Sequence, residues 1–216
     1  MTQAYDVSQV QQLEQLEQEE GLAEQTLDDR LMYEGDYLKL HRATVQLPNG
    51  ATSYREYLKH PGAVMIIPLF ENGDVLLERQ YRYPMRKVFI EFPAGKKDAG
   101  EAPLETAKRE LLEETGYRAE RYTHVTDIHN ALAYCDEVIH FYLAEGLLQA
   151  GEQQLDDNEF VQVLRVPLSQ LMTWIKNGWV SDVKTQLGAF WLQDYLKQSY
   201  RKGFNMPHCC IEYTPN

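Results

Sequence analysis

The sequence predicts an α+β chain, or equally a mixed α/β one, with a small antiparallel β unit ahead of a larger domain. Short apolar or alternating segments recur between residues 37 and 92, divided by a Pro48-Asn49-Gly50 turn and a Glu71-Asn72-Gly73-Asp74 turn, which is the pattern of strands and hairpins. Pro103 to Thr115 carries Leu104, Ala107, Leu111 and Leu112 at helical spacing, so one firm helix follows the first strands. Strand-like and helix-like segments then alternate as far as residue 198, which favours interspersed helices over an all-β or all-α body.

Composition narrows the classes. With 216 residues, 44% of them hydrophobic and 25% charged, the chain is long enough for a real core and is not a disordered or collagen-like sequence. Its 21 basic and 33 acidic residues leave a formal charge of −12, which disfavours nucleic acid or an anionic membrane as the partner. An anionic substrate must therefore be brought in by local cations. The 3 cysteines, Cys135 and the adjacent Cys209 and Cys210, make no disulfide framework and suit a reducing compartment. The first residues lack a basic segment and an apolar core, and no apolar run approaches the roughly 18 residues of a span. A cytoplasmic location is the expectation.

In chain order, residues 8 to 32 read as a polar, Gln/Glu-rich helical stretch with sparse apolar positions at Val10, Leu13, Leu16, Leu27 and Leu31. Residues 1–32 are accordingly expected to form an N-terminal helical extension. Tyr37 to Leu40, Ala43 to Leu47 and Thr52 to Tyr57 read as strands around the Asn-Gly turn, in a β unit spanning 33–60. Such a unit lacks the apolar bulk to stand alone and must pack on the rest of the chain or on a second copy. Ala63 to Leu69 and Val75 to Tyr81 read as a central hairpin, and Val88 to Phe92 as a strand stopped by Pro93. Pro103 suits the first helical turn and Gly116 the helix end. Thr123 to Asp127, Val138 to Ala144 and Phe160 to Val166 read as further strands, and Leu168 to Asn177 and Asp182 to Gln198 as helices. The main domain is expected over 61–200, with a tail at 201–216 in which His208, Cys209 and Cys210 lack a second ligand pair and read as an ordinary terminus.

The chemistry concentrates in the segment from Gly95 to Tyr117. On a helix turning about 100° per residue, Glu113 lies about 60° to one side of Glu110 and Glu114 about 40° to the other. Three carboxylates on one face repel, so their coexistence implies a cation between them. Carboxylate oxygens with room for water are the ligands preferred by Mg²⁺ or Mn²⁺, which in turn favour phosphates. Arg109, between Glu101 and these glutamates, suits a role in orienting carboxylates.

The same segment resembles the Nudix box: Gly95, Glu101, Arg109, Glu110, Leu111, Glu113, Glu114 and Gly116 all fall in register. Chance matching of its fixed identities is on the order of one in a million. Tyr117 stands where the family usually has an aliphatic residue, a difference of packing. From about Tyr33 to Asp182 the chain is similar to the ADP-ribose pyrophosphatase branch. Arg55-Glu56, His60 to Val64, Arg79 to Pro84 and Glu91 to Gly95 resemble that branch's segments.

The resemblance implies an α/β/α sandwich with a mixed sheet, preceded by N-terminal strands that contribute to a homodimer. It implies a Mg²⁺-dependent hydrolase, with Mn²⁺ as a substitute, that splits ADP-ribose or a similar nucleoside diphosphate sugar into a nucleoside monophosphate and a sugar phosphate. By position, the Ala94 carbonyl, Glu110, Glu113, Glu114 and Glu159 would hold metal, and Glu113, Asp157 and Glu159 would be catalytic, Asp157 as general base. Arg55 and Arg82, whose guanidinium forks match phosphate oxygens, would hold the pyrophosphate. Glu91 and Glu137 would also contact substrate, and Tyr37 and Tyr83 are positions for stacking on a base.

One departure bears on substrate. Leu132 stands where the ADP-ribose branch carries a proline, within Asn130-Ala131-Leu132-Ala133, so hydrolysis of GDP-mannose or another nucleotide sugar is the alternative. A mutagenic-nucleotide or RNA-cap hydrolase fits the box but not the flanking segments. A non-catalytic nucleotide sensor on the same scaffold is the alternative from another class, and the complete set of box carboxylates argues against it.

Overall fold

A computed structural model of the chain describes residues 20–201, which form two compact units parting between Lys59 and His60. In the first unit β1 (Gln25–Glu34), β2 (Lys39–Gln46) and β3 (Thr52–Lys59) make an antiparallel sheet in that order. The Asn-Gly turn joins β2 to β3: the Leu47 N–H donates to the Ala51 carbonyl at 2.8 Å, and Asn49 Oδ1 accepts from the Ala51 N–H at 3.0 Å.

Residues 20–32 correct the helical expectation for 8–32: 20–22 form a turn, 23 and 24 are irregular and 25–32 belong to β1, while residues 8–19 lie outside the described residues. Leu27 and Leu31 are four apart, a helical spacing, but the segment instead satisfies its backbone groups on the edge of β2. Asp29 ties it down, accepting from the Tyr57 hydroxyl at 2.8 Å and meeting His41 Nδ1 at 3.1 Å. The β unit thus begins before residue 33.

The second unit comprises β4 (Ala63–Leu69), β5 (Asp74–Arg82), β6 (Lys87–Glu91), β7 (Ala94–Lys96), α1 (Pro103–Thr115), β8 (Tyr117–Ile128), β9 (Ile139–Gln149), β10 (Val161–Pro167), α2 (Leu168–Lys176) and α3 (Val183–Arg201). The main sheet runs β10-β5-β4-β9-β8, with β6 paired to β5 and β7 to β4. β4 and β9 are parallel and the other pairs antiparallel, so the sheet is mixed. Every residue of β4 is buried. Its alternation sends Ala63, Met65, Ile67 and Leu69 into one apolar cluster with Leu171 of α2 and Leu192 of α3. Val64 and Ile66 enter a second cluster with Ala107 and Leu111 of α1. Each such aliphatic side chain contributes roughly 1.5–3 kcal/mol on burial. Helices therefore cover both faces, giving the α/β/α sandwich.

The expected central hairpin is corrected in one respect. β4 and β5 share only the Leu69↔Val75 pair and then diverge. β5 goes on to pair with β6 and β10, whereas β4 pairs with β7 and β9. The chain between β6 and β7 enters the opening, where the Ile66 N–H donates to the Pro93 carbonyl at 2.9 Å. That divergence brings Ala94 and Gly95 beside α1. β8 also starts earlier than expected, because the polar run Tyr117 to Tyr122 pairs with the far end of β9 while exposing its other face.

Candidate active site

α1 is built to aim its carboxylates. Pro103 occupies its first turn and Gly116 ends it with φ 74°, its N–H donating to the Leu112 carbonyl at 2.8 Å. Ala107 and Leu111 anchor the helix on the sheet, which leaves Glu110 and Glu114 at the margin of the buried face. Glu101 fixes the helix entrance, accepting from the Asp98 N–H at 3.2 Å and the Thr106 hydroxyl at 2.8 Å.

Arg109 binds the acidic groups together. Its Nε and Nη2 donate to the two Glu101 oxygens at 3.1 and 2.9 Å, and Nη2 also reaches the Lys96 carbonyl at 3.1 Å. Nη1 donates to Glu110 Oε1 at 2.8 Å and Glu113 Oε2 at 3.0 Å. The Arg109 guanidinium, with help from Thr106 and the Asp98 amide, outweighs burial and lowers the Glu101 carboxyl to about 2. Glu114 Oε2 accepts from the Ala94 N–H at 3.0 Å. The Glu110 carboxylate lies over Gly95, where any Cβ would overlap it. Gly95 is therefore a glycine for close approach.

Burial raises Glu110 to about 7 against the pull of Arg109. Burial, reinforced by Glu78, Glu110 and Glu159, raises Glu114 well above the carboxylate range. Glu159 reaches this group from the acidic loop, held by Gln80 Nε2 donating to its Oε1 at 3.2 Å. Glu110, Glu114 and Glu159 thus converge, with Glu113 beside them on Arg109. Asp157, by contrast, is exposed on the turn two residues before Glu159.

The residues predicted to contact phosphate and sugar are each held by other side chains or backbone. Arg82 makes a two-point bond to Glu91, Nε to Oε1 at 2.8 Å and Nη2 to Oε2 at 2.9 Å, and Lys184 donates to the same carboxylate. Burial acts to raise Glu91, but Arg82 and Lys184 outweigh it and hold the carboxyl low. Glu137 meets His60 Nδ1 at 3.4 Å. Arg55 lies on β3, in the N-terminal unit, donating to Glu24 and to the Tyr54 carbonyl at 2.9 Å. Tyr37 and Tyr83 are exposed, the latter beneath the Arg86 guanidinium at 4.1 Å.

Sequence reasoning missed Glu78, which is fully buried on β5 and has both carboxylate oxygens without a hydrogen-bond partner. Burial, with the neighbouring Glu91 charge adding to it, pushes its carboxyl up to about 8. The signal was available: Leu76, Glu78, Gln80 and Arg82 share one face of a strand of period two. Another grouping missed by sequence lies outside the box, where Asp127 Oδ1 meets His124 Nε2 at 2.7 Å and His140 Nδ1 at 2.8 Å across β8 and β9. One carboxylate oxygen shared by two imidazoles closes that cluster on itself.

An all-oxygen donor set, mostly carboxylates and with a buried unpartnered member, fits a hard divalent cation. A glycine-led loop and an acidic helix, brought together by the diverging mixed sheet, suit metal-assisted hydrolysis. The NUDIX domain model matches residues 59–185, and the chain belongs to the Nudix family. It is 38% identical to the ADP-ribose pyrophosphatase of Bacillus subtilis (strain 168), an alignment covering 80% of this chain and 94% of the relative. It is also 38% identical to the methanol dehydrogenase activator of Bacillus methanolicus, covering 79% of this chain and 92% of that one. Among solved structures, a crystal structure of an ADP compounds hydrolase superposes with a TM-score of 0.74 at 23% identity, covering 82% of this chain and 96% of the other.

Proposed function

We propose that the chain is a Mg²⁺-dependent pyrophosphohydrolase that splits ADP-ribose, or a closely similar nucleoside diphosphate sugar, into a nucleoside monophosphate and a sugar phosphate, with Mn²⁺ able to substitute. The observation that carries this reading is the convergence of Glu110, Glu114 and Glu159 beside the Ala94–Gly95 backbone. The names of the similar ADP-ribose pyrophosphatases support the substrate class.

Glu110, Glu113, Glu114, Glu159 and the Ala94 carbonyl would hold the cation. A bound divalent ion supplies charge neutralisation at the pyrophosphate, polarisation of phosphorus and a lowered pKa for water. Arg109 keeps Glu110 and Glu113 in place, so that the carboxylates need not reorganise when substrate arrives. Asp157, on the exposed turn, is the group proposed to accept the water proton, with Glu113 and Glu159 as the other proposed catalytic carboxylates. Arg82 and Arg55 are proposed to steady the phosphates, and Glu91 and Glu137 to meet the sugar end.

A homodimer through the N-terminal strands belongs to the same reading. Its support is the apolar surface of that unit, where Leu27, Leu31, Met32, Tyr33, Leu38 and Tyr54 are all exposed. A cytoplasmic location is likewise proposed; among the described residues no helix is long and apolar enough to cross a membrane. GDP-mannose stands as the alternative substrate because Leu132, in place of the proline of the ADP-ribose branch, projects 80% exposed from the loop between β8 and β9.

A panel of ADP-ribose, GDP-mannose, UDP-glucose, diadenosine polyphosphates and nucleoside triphosphates, read by phosphate release after phosphatase coupling, tests the reading. ADP-ribose turned over fastest is the expected result. Preference for triphosphates overturns the substrate class, and saturable binding without product replaces the enzyme with a sensor.

A further inference from the structure

We propose that Glu78 is an additional metal-holding residue, its carboxylate joining Glu110, Glu114 and Glu159 around the divalent cation; the proposal rests on the metal-dependent reading above. Glu78 is 0% exposed, and neither Oε1 nor Oε2 has a hydrogen-bond partner. A carboxylate stripped of water with nothing to replace it is costly, and an aliphatic side chain in its place would pack a strand interior without that cost.

The nearby cations and donors are committed to other groups. Arg82 and Lys184 are engaged with Glu91, Gln80 with Glu159, the Ala94 N–H with Glu114 and Arg109 with Glu110. The position of Glu78 follows from the alternation of β5. Glu78 shares a face with Gln80 and Arg82, whose side chains reach Glu159 and Glu91, and it pairs across the sheet with Glu91. After burial itself, Glu78 is the strongest influence on Glu114. Glu78 thus sits among the acidic groups of the cluster, facing a box glutamate from the sheet side. The missing partner is a positive charge that accepts hard oxygen ligands and is shared with Glu114, and a divalent cation has that chemistry.

The test is a Mn²⁺ titration of the full chain, followed by the electron paramagnetic resonance signal of free Mn²⁺, for wild type, Glu78→Gln, Glu78→Val and Glu114→Gln, with melting temperatures taken in EDTA and in Mn²⁺. Weakening of Mn²⁺ binding by about tenfold or more is expected in both Glu78 variants, together with a higher melting temperature in EDTA and a smaller rise on adding Mn²⁺. Glu78→Val provides the measurement if Glu78→Gln fails to fold. Wild-type Mn²⁺ affinity and stoichiometry in the Glu78 variants, with loss in Glu114→Gln, overturns the role of Glu78 alone. Absence of Mn²⁺ binding by the wild type overturns this proposal and the metal-dependent reading together. Glu78-dependent Mn²⁺ binding without hydrolysis of any nucleoside diphosphate sugar supports the ligand role and defeats only the proposed activity.

Discussion

The Glu110 carboxylate rests against the backbone of Gly95, in the space that any Cβ at that position would fill. The two residues are brought together by β7 entering beside β4 and by α1 docking on the same sheet. Gly95→Ala is therefore expected to displace Glu110, lowering hydrolysis by orders of magnitude and costing about 1–3 kcal/mol of stability through overpacking. Parallel urea denaturation and steady-state kinetics check this. Unchanged turnover in the variant contradicts the placement.

Arg109 holds Glu101 through Nε and Nη2, and both Glu110 and Glu113 through Nη1. Arg109→Ala should reduce kcat/KM by about 10–100-fold, the usual scale for groups that orient metal ligands. Lysine keeps the charge but not the fork, so Arg109→Lys should remain impaired in the same kinetic comparison. Full rescue by lysine reduces the role of Arg109 to charge alone.

Burial raises Glu110 to about 7 and Glu78 to about 8, both from a usual value of 4.5. A carboxyl raised on folding lends full stability below its unfolded value and loses it as pH rises through its folded value. In EDTA the melting temperature should therefore fall between about pH 5 and 8, and MgCl₂ should offset the fall because the metal needs ionised ligands. Calorimetry across this window decides, and a melting temperature that climbs with pH in EDTA contradicts it.

Glu101 has the opposite sign. Held at about 2 by Arg109, it adds stability above its unfolded value near 4.5, and that contribution is lost as pH falls toward 2. Glu101→Gln should flatten the acid limb of the melting curve in that range. An acid limb identical to the wild type's removes Glu101 from the account.

Much of this was legible in the sequence for physical reasons. The Gly95 to Gly116 segment is local: its helix, cap and carboxylate spacing are set by residues near one another in the chain, and α1 occupies the expected Pro103–Thr115. β4, apolar and buried on both faces, was equally plain. What escaped depends on distant pairing. β1 is a strand because the edge of β2 accepts it, whereas its own residues permit a helix. The divergence of β4 from β5 depends on β7, and the unpartnered Glu78 carboxylate becomes apparent only once Arg82, Lys184 and Gln80 are seen to be taken by Glu91 and Glu159. The two-point bond of Arg82 to Glu91 also escaped, because it joins neighbouring strands.

The most direct measurement is a ³¹P NMR time course of ADP-ribose with MgCl₂, comparing wild type with Glu114→Gln, whose carboxylate accepts from the Ala94 N–H. The account predicts that wild type converts the diphosphate resonances into two monophosphate resonances and that the variant is slower by orders of magnitude while still folded. Equal rates for the two proteins, or persistence of the diphosphate with wild type, contradict it.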